Sequence, residues 1–442
     1  VFGMLRPCLK RLMPQRVDAI LRQISYRTMT WLVHSLPFCR VKYENPGGED
    51  FRRPAIVISN HQSATDVLVA FILSPEICMT VKKRVYDTPI LGFACKALGH
   101  VVVEANATAQ TLAACRERLA AGRSLHFFPE GTRSYDGKLQ RFRRGAFELA
   151  VELRQDIIPA VLCDTRTAMP RDAFWLEPGQ ASVRILPRVT PENFDYTLGA
   201  TALMRHCEKL VRESLEQQLA ALNTPNRLRR KVERLYRYQG AYTEQFVHWK
   251  MKLDPIFPVL DRVTPRQGLI LDLGCGYGLA THWLAEAGYD RTLAGIDYDG
   301  EKIRIARRSA PDNPRIRFTE GDIQTAELPA CDAILLLDVL HYWVPEKQLQ
   351  ILKRARQALR PGGRLILRDG ARAENAAHDR VHRWEVFATK LGLNRTRERL
   401  HFLTLAELES LLQRAGFARP EIIREAGRDS NVLLLAGPAE ER

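Results

Sequence analysis

The stretch "LILDLGCGYG", residues 269–278, leaves the chain few ways to fold. An apolar run that reads as a buried strand reaches Asp272, and Gly274, Gly276 and Gly278 follow at alternate positions. Glycines at that spacing let backbone N–H groups and the start of a helix approach a ligand closely. The strand–loop–helix rhythm continues through apolar runs at 293–296, 316–319, 333–337 and 364–368, with a late run at 431–436. Such alternation predicts a doubly wound sheet.

The ends of these strands carry acidic side chains. Asp297 lies 25 positions after Asp272 and closes the second strand, where it can take both hydroxyls of a ribose. "EGDI" puts Asp322 beside Ile323 at the next strand end, and "LLLDVLHY" places Asp338 at the fourth. A dinucleotide site usually shows G-x-G-x-x-G, whereas Tyr277 and Gly278 follow Gly276 here. The succession resembles the class I S-adenosylmethionine-dependent methyltransferases over roughly residues 240–442. The resemblance implies that Asp272, Gly274 and Gly276 hold the methionine part of the cofactor and Asp297 the ribose. Asp322 and Ile323 would meet the adenine, Tyr298 would lie along its face, and Gly278 and Asp338 complete the cofactor set. His341 and Tyr342 stand where a base can sit, or they merely line the pocket. A nucleic-acid-type [DN]-P-P-[YF] motif is missing after the fourth strand, which favours a small or lipid acceptor. Residues 379–403, with Trp384, Phe387 and Phe402, fall where an acceptor lid is often built.

The first half also alternates. Strands are expected at 55–58, 100–103, 124–128, 157–162 and 181–186, with helices such as 108–121 between them, an α/β pattern. Behind the first run stands "SNHQSATD", residues 59–66, with His61 and Asp66 five positions apart. The plain reading is a helix start capped by Asn60, Ser63 or Thr65, with Asp66 complementing the dipole. Two further blocks argue for chemistry: "FFPEGTRS", residues 127–134, and "DIIPAVL", residues 156–162. Arg141, Arg143 and Arg144 lie between them.

H-x-x-x-x-D, then F-P-E-G-T-R-S, then I-x-P looks like the glycerolipid acyltransferase family, the lysophosphatidate acyltransferases and their relatives, over roughly residues 54–220. The resemblance implies that His61 is the general base, with Asp66 orienting it. It implies that Glu130, Gly131, Thr132 and Arg133 bind the acceptor and that Ser63 is structural. Lys82, Lys83, Pro89 and Gly92 match the family's intervening block, but Glu104 and Ala105 stand where Asp-Arg is common. That departure puts lysophosphatidate itself in doubt; either Arg141, Arg143 or Arg144 substitutes, or the acceptor is another hydroxylated lipid. The fold expectation is therefore two α/β domains, an acyltransferase-type mixed sheet with helices followed by a Rossmann-like methyltransferase. The cofactors implied are S-adenosylmethionine and an acyl donor, acyl-CoA or acyl carrier protein.

Charge completes the reading. The 442 residues carry a formal +15, unevenly placed. Residues 1–222 hold 30 basic and 22 acidic side chains, residues 223–250 hold 7 and 2, and residues 251–442 hold 29 and 27. A basic surface suits anionic lipid, nucleic acid or a phosphorylated substrate. Residues 1–53 read as basic amphipathic helices, with Val17, Ile20, Leu21, Ile24, Trp31, Leu32 and Leu36 near helical spacing and Arg6, Lys10, Arg11, Arg16, Arg22 and Arg27 beside them. They are either a membrane-interface contact or a plain packing element. Residues 223–240 are polar and basic and read as a linker between domains at 54–222 and 241–442. Nine cysteines without C-x-x-C or a Cys/His cluster point to a reducing cytosol and no metal. The chain opens on Val1 and reaches Met4, with no clear signal peptide, so either an alternative start or a piece of a longer chain is expected. The expectation is a cytoplasmic, peripheral enzyme on the inner face of the membrane. It meets an anionic lipid surface, a lipid acceptor and a carrier protein as candidate donor, with no nucleic acid. Two rival readings stand beside it: a second half that only senses S-adenosylmethionine, and an RNA methyltransferase with a basic RNA-binding platform.

Overall fold

The computed structural model describes residues 17–35, 39–88, 92, 95–96, 98–103, 108–134, 137–168, 179–288, 290–309, 313–370, 400–423 and 431–439. It divides into two compact units, 1–221 and 222–442. Both are α/β, as the sequence pattern predicts.

The first unit is built on seven strands: β1 (Cys39–Glu44), β2 (Ile56–Ser59), β3 (Ile77–Lys82), β4 (Val101–Val103), β5 (Ser124–Phe127), β6 (Ile157–Cys163) and β7 (Gly179–Ile185). Their order is β1-β7-β6-β2-β5-β3-β4, and all neighbours are parallel except β6 with β7. Every residue of β2 and β6 is buried. This is why they read as unbroken apolar runs: a central parallel strand is covered on both faces. Helices α1 (Val17–Ser35), α2 (Thr65–Phe71), α3 (Thr108–Ala120), α4 (Gly145–Glu152) and α5 (Gly199–Leu222) accompany this sheet. Two strands escape the apolar pattern. β1 lies within the stretch expected to be helical throughout, and it pairs with β7 at the sheet edge. β3, "ICMTVK", is not among the expected strands although Ile77, Thr80 and Val81 are β-branched; Lys82 and the following Lys83 end its apolar run after five residues.

The second sheet runs β10 (Ile316–Glu320), β9 (Arg291–Asp297), β8 (Gly268–Leu273), β11 (Cys331–Leu337), β12 (Leu359–Gly370), β14 (Asn431–Ala436), β13 (Glu421–Ile423). The first five are parallel, and β14 is antiparallel to both β12 and β13. Successive residues feed two different cores, as the period of two requires. Leu271, Leu273, Ile334, Leu336, Leu365 and Leu367 join one cluster; Ile270, Ala333, Leu335 and Ile366 join the other.

Residues 223–240 are not a linker. They contain helix α6 (Pro225–Leu235), and Leu228, Val232 and Tyr236 are buried in the second cluster at a spacing of four. The Tyr236 hydroxyl donates to the Tyr277 carbonyl at 2.5 Å. The many charged side chains on its other positions concealed this apolar row. Helices α7 (Ala241–Leu253), α8 (Ile256–Val263) and α9 (Leu279–Ala287) follow it into the same cluster. None of the described helices is long and apolar enough to cross a membrane. Among the sequence expectations, Arg6, Lys10, Arg11, Arg16, Leu36, Pro89, Glu104, Ala105, Trp384, Phe387 and nearly all of the 379–403 lid lie outside the described residues.

Candidate active sites of the two units

In the first unit β2 delivers Asn60 and His61 at its carboxyl end, where an α/β sheet presents ligand-binding groups. Asn60 clasps the neighbouring strand: its amide donates to the Leu162 carbonyl at 2.7 Å and its oxygen accepts the Leu162 N–H at 2.8 Å. Asn60 is therefore not a helix cap; Ala64 occupies that position, without a side-chain cap. Asp66, in the first turn of α2, is fully buried, and one oxygen gathers three donors. Oδ2 lies 2.8 Å from His61 Nδ1, 2.5 Å from the Gln62 amide and 2.7 Å from the Ser63 amide. Oδ1 finds no partner among the described residues. The His61 side chain keeps 16% of its surface exposed, so the imidazole is held from within and reachable from outside. Ser63 is buried and accepts from the Thr65 hydroxyl, a structural arrangement.

The loop after β5 surrounds His61. Phe128 stacks on the imidazole with centroids 4.0 Å apart. Glu130, expected on the acceptor, is turned inward: its carboxylate accepts the His61 amide at 2.6 Å and the Gln140 amide at 2.9 Å. Burial pushes its pKa up to about 8, against the two amides that favour the charged form. Gly131 has φ +73°, and a Cβ there would stand 2.7 Å from Arg143 Nε. Thr132, Arg141, Arg143 and Arg144 are exposed and Arg133 half-buried on this loop region. Behind Phe128, His126 is fully buried with Nε2 2.9 Å from Ser59 Oγ, and burial takes its pKa down to about 3. No sequence signal separated His126 from the apolar strand around it.

In the second unit, Asp272 ends buried against the Thr281 hydroxyl at 2.7 Å. Burial, with Asp297 adding, pushes its pKa to about 6 despite that hydrogen bond. Asp297 braces the glycine loop: Oδ2 accepts the Gly276 amide at 2.7 Å and Oδ1 the Asp299 amide at 2.9 Å. Gly276, at φ +54°, has open space where a side chain would begin. Gly274 precedes it, and Gly278 opens α9 in a left-handed conformation. The loop thus forms a cradle with an acidic floor and room for a ligand. Tyr298 stands exposed at its rim, Asp322 is exposed, and Ile323 is buried in the core.

Asp338, expected in the cofactor set, stands in a group of charges. It has φ +57°, and its carboxylate faces Lys250 at 3.4 Å and Arg368 at 3.5 Å. Asp254 completes the group, 2.8 Å from both cations, which hold its carboxyl well below the usual range although burial opposes them. Asp338 is thus an ion-pair partner that ties α7 to the ends of β11 and β12. His341 is buried, with Nδ1 2.5 Å from Asp369 Oδ1 and its amide 3.0 Å from Asp369 Oδ2. Phe402 stacks on it at 4.5 Å. Asp369 was not read from the sequence; its only signal was a carboxylate closing the fifth strand. Also unread was α7, which exposes Tyr242, Phe246, Trp249 and Leu253 along one side while burying Thr243, Val247 and Met251. Phe246 reaches Tyr277 in the glycine loop, with centroids 5.4 Å apart.

Residues 40–163 match the acyltransferase family, and residues 270–363 match the family described as methyltransferase domain. The chain joins an acyltransferase domain to a methyltransferase domain. The acyltransferase domain is 33% identical over 145 residues to a 1-acyl-sn-glycerol-3-phosphate acyltransferase of Chlamydomonas reinhardtii, covering 32% of this chain and 43% of that protein. It is 31% identical over 169 residues to the alpha form from Mus musculus, covering 36% and 59%. The chain thus spans about half the length of these curated relatives. Among solved structures, it is similar to the 1-acyl-sn-glycerophosphate acyltransferase of Thermotoga maritima, with TM-score 0.39, 25% identity and coverage of 46% of this chain and 80% of that one. The methyltransferase of calicheamicin biosynthesis gives TM-score 0.37, 22% identity and coverage of 45% and 57%.

Proposed function

We propose that the acyltransferase domain moves an acyl group from a thioester, acyl-CoA or acyl carrier protein, to a hydroxyl of a lyso-lipid. The observation that carries this reading is the His61–Asp66 pair. With Nδ1 committed to Asp66, Nε2 is the nitrogen that takes the acceptor's proton. The acceptor oxygen then attacks the thioester carbonyl, the C–S bond breaks, and the proton passes to the departing thiolate. Asp66 stabilises the imidazolium formed on the way. Arg133, Arg141, Arg143 and Arg144 are the side chains suited to an anionic acceptor group. The names of the curated relatives support an acceptor of the 1-acylglycerol phosphate type.

The methyltransferase domain, in the same proposal, takes S-adenosylmethionine and methylates a lipid or small molecule. The open cradle at Gly276 and the Asp297 brace support the fit of that cofactor. Asp272 would meet its ammonium and Asp297 its ribose, with Asp322, Ile323 and Tyr298 around the adenine. The cofactor supplies an already activated methyl group, so the protein's part is alignment and removal of a proton. The His341–Asp369 pair favours a hydroxyl acceptor, with His341 as the base. We place the chain peripherally on the inner face of a cytoplasmic membrane. The net charge and the exposed Ile20, Ile24 and Trp31 of α1 support an anionic lipid surface as partner.

Lipid mass spectrometry of a host carrying the intact chain, His61→Ala or Asp297→Ala tests both halves. Loss of a lipid with His61→Ala, and the same lipid lighter by one methyl with Asp297→Ala, is the expected result. No change with Asp297→Ala sinks the shared-product reading and favours a domain that binds the cofactor or serves another substrate.

A further inference from the structure

One short loop holds His61 in three independent ways. Phe128 lies on the imidazole face with planes 18° apart and centroids at 4.0 Å. Glu130 accepts the His61 backbone N–H at 2.6 Å. The Ser134 amide donates to the His61 carbonyl at 2.8 Å. Glu130 is only 3% exposed, and its second oxygen fastens Gln140 on the far side of the loop. Phe128 is itself backed by His126, edge-on at 4.6 Å, which leans on Ser59. The hydrogen bond to Asp66 fixes one edge of the imidazole. It leaves the ring plane and the main chain to be fixed by something else, and these contacts do so.

We infer that Phe128 and Glu130 are positioning residues for His61, setting its ring plane and its backbone, and that neither holds the acceptor. Buried in this way, the Glu130 carboxylate faces two backbone amides and not the outside. The stacked face of Phe128 is likewise closed by the imidazole itself. A general base works only within a narrow range of position, and a misplacement of about 1 Å costs about a hundredfold in rate. The motif "FPEGTRS" thus divides in two. Phe128, Glu130 and Ser134 grip the base, while Thr132 stays exposed beside them.

The inference rests on the acyl-transfer reading for its kinetic consequence, so the first test needs no substrate. The full chain is treated with diethyl pyrocarbonate, and carbethoxylation of His61 is followed by peptide mass spectrometry at several pH values. His248, partly exposed in the other unit, is the reference for reagent, and His100, buried in the same unit as His61, marks a folded chain by staying unlabelled. Phe128→Leu and Glu130→Ala are expected to raise the His61 rate several-fold or shift its pH profile, while Phe128→Tyr keeps the original rate. An unchanged His61 in both disruptive variants overturns the inference.

The second test uses lysophosphatidate and palmitoyl-CoA as probes. Positioning predicts a kcat loss of about a hundredfold in Phe128→Leu and Glu130→Ala, with the KM for lysophosphatidate unchanged. A raised KM with kcat retained in Glu130→Ala returns that residue to the acceptor and overturns the inference. If the unmodified chain turns over neither probe, the acyl-transfer reading with these substrates fails, and the labelling result still decides the positioning.

Discussion

Replacing Asp66 with Asn separates two duties that the carboxylate performs together. Its Oδ2 accepts from His61 Nδ1, Gln62 N and Ser63 N, whereas Oδ1 has no partner among the described residues. An asparagine amide therefore has one good orientation. Its oxygen takes the site with three donors, and its NH2 takes the vacant side. Reversing it would set two N–H hydrogens against two backbone amides. The geometry of His61 is then preserved, and what disappears is the negative charge beside the imidazolium. Two unit charges 4 Å apart are worth about 4 kcal/mol at the effective dielectric of 20 suited to such sites. With about half of the imidazolium charge developed in the transition state, the loss is ~2 to 3 kcal/mol, or roughly a hundredfold in kcat. Steady-state acyl transfer with lysophosphatidate and palmitoyl-CoA measures it, with Asp66→Ala as the comparison. Asp66→Ala removes geometry and charge together and falls further. A loss of about ten-thousandfold in Asp66→Asn, the size seen when an amide forces the wrong tautomer, refutes the single-oxygen reasoning. Unaltered turnover refutes any use of the charge.

Cofactor binding will depend on pH through Asp272. Its pKa near 6 means that the carboxylate is lost as pH falls through that value, and with it the partner for an ammonium group. Calorimetric affinity for S-adenosylhomocysteine is expected to weaken below about pH 6, and Asp272→Asn to flatten the profile. Glu130 acts on stability with a definite sign. Its folded pKa of about 8 lies above its unfolded value, so its contribution is full below the unfolded pKa and fades as pH rises through 8. The slope between can reach about 1.4 kcal/mol per pH unit, and the melting of the acyltransferase domain in Glu130→Gln should lose it. Val232→Asp puts a charge into the core of the methyltransferase domain and should cost it 3 kcal/mol or more, on the order of a buried unpaired charge. A neutral effect in thermal unfolding would restore residues 223–240 to the role of a linker.

What could be read from the sequence was what period and glycine spacing encode. The central strands of both sheets announce themselves because burial on two faces demands unbroken apolar runs, as in "IVIS" and "IIPAVLC". The proximity of His61 and Asp66 was also legible, because a five-residue step across a strand-to-helix turn leaves few alternatives. Glu130 was harder. A carboxylate in a turn beside an arginine reads as a ligand for substrate, and nothing in the one-dimensional pattern says that two backbone amides will claim it. The ion pairs of Asp338 were equally hidden, since its partners Lys250 and Arg368 come from 88 residues before it and 30 after. Helix α6 escaped because its apolar row is only one residue in four, diluted by arginines. The missing information was in each case a tertiary partner.

β1 carries a practical consequence. It pairs along its whole length with β7, from Cys39 with Gly179 to Glu44 with Arg184, and the Glu44 carboxylate meets Arg184 at 2.7 Å. A truncation that begins after residue 53 would strip this border from the sheet. β7 would be left with a row of unsatisfied N–H and C=O groups, a template for self-association between copies. A shortened protein that sediments with vesicles, or precipitates without them, would then be reporting aggregation. Charged replacements at Ile20, Ile24 and Trp31, already exposed on α1, ask about lipid contact and leave the border intact.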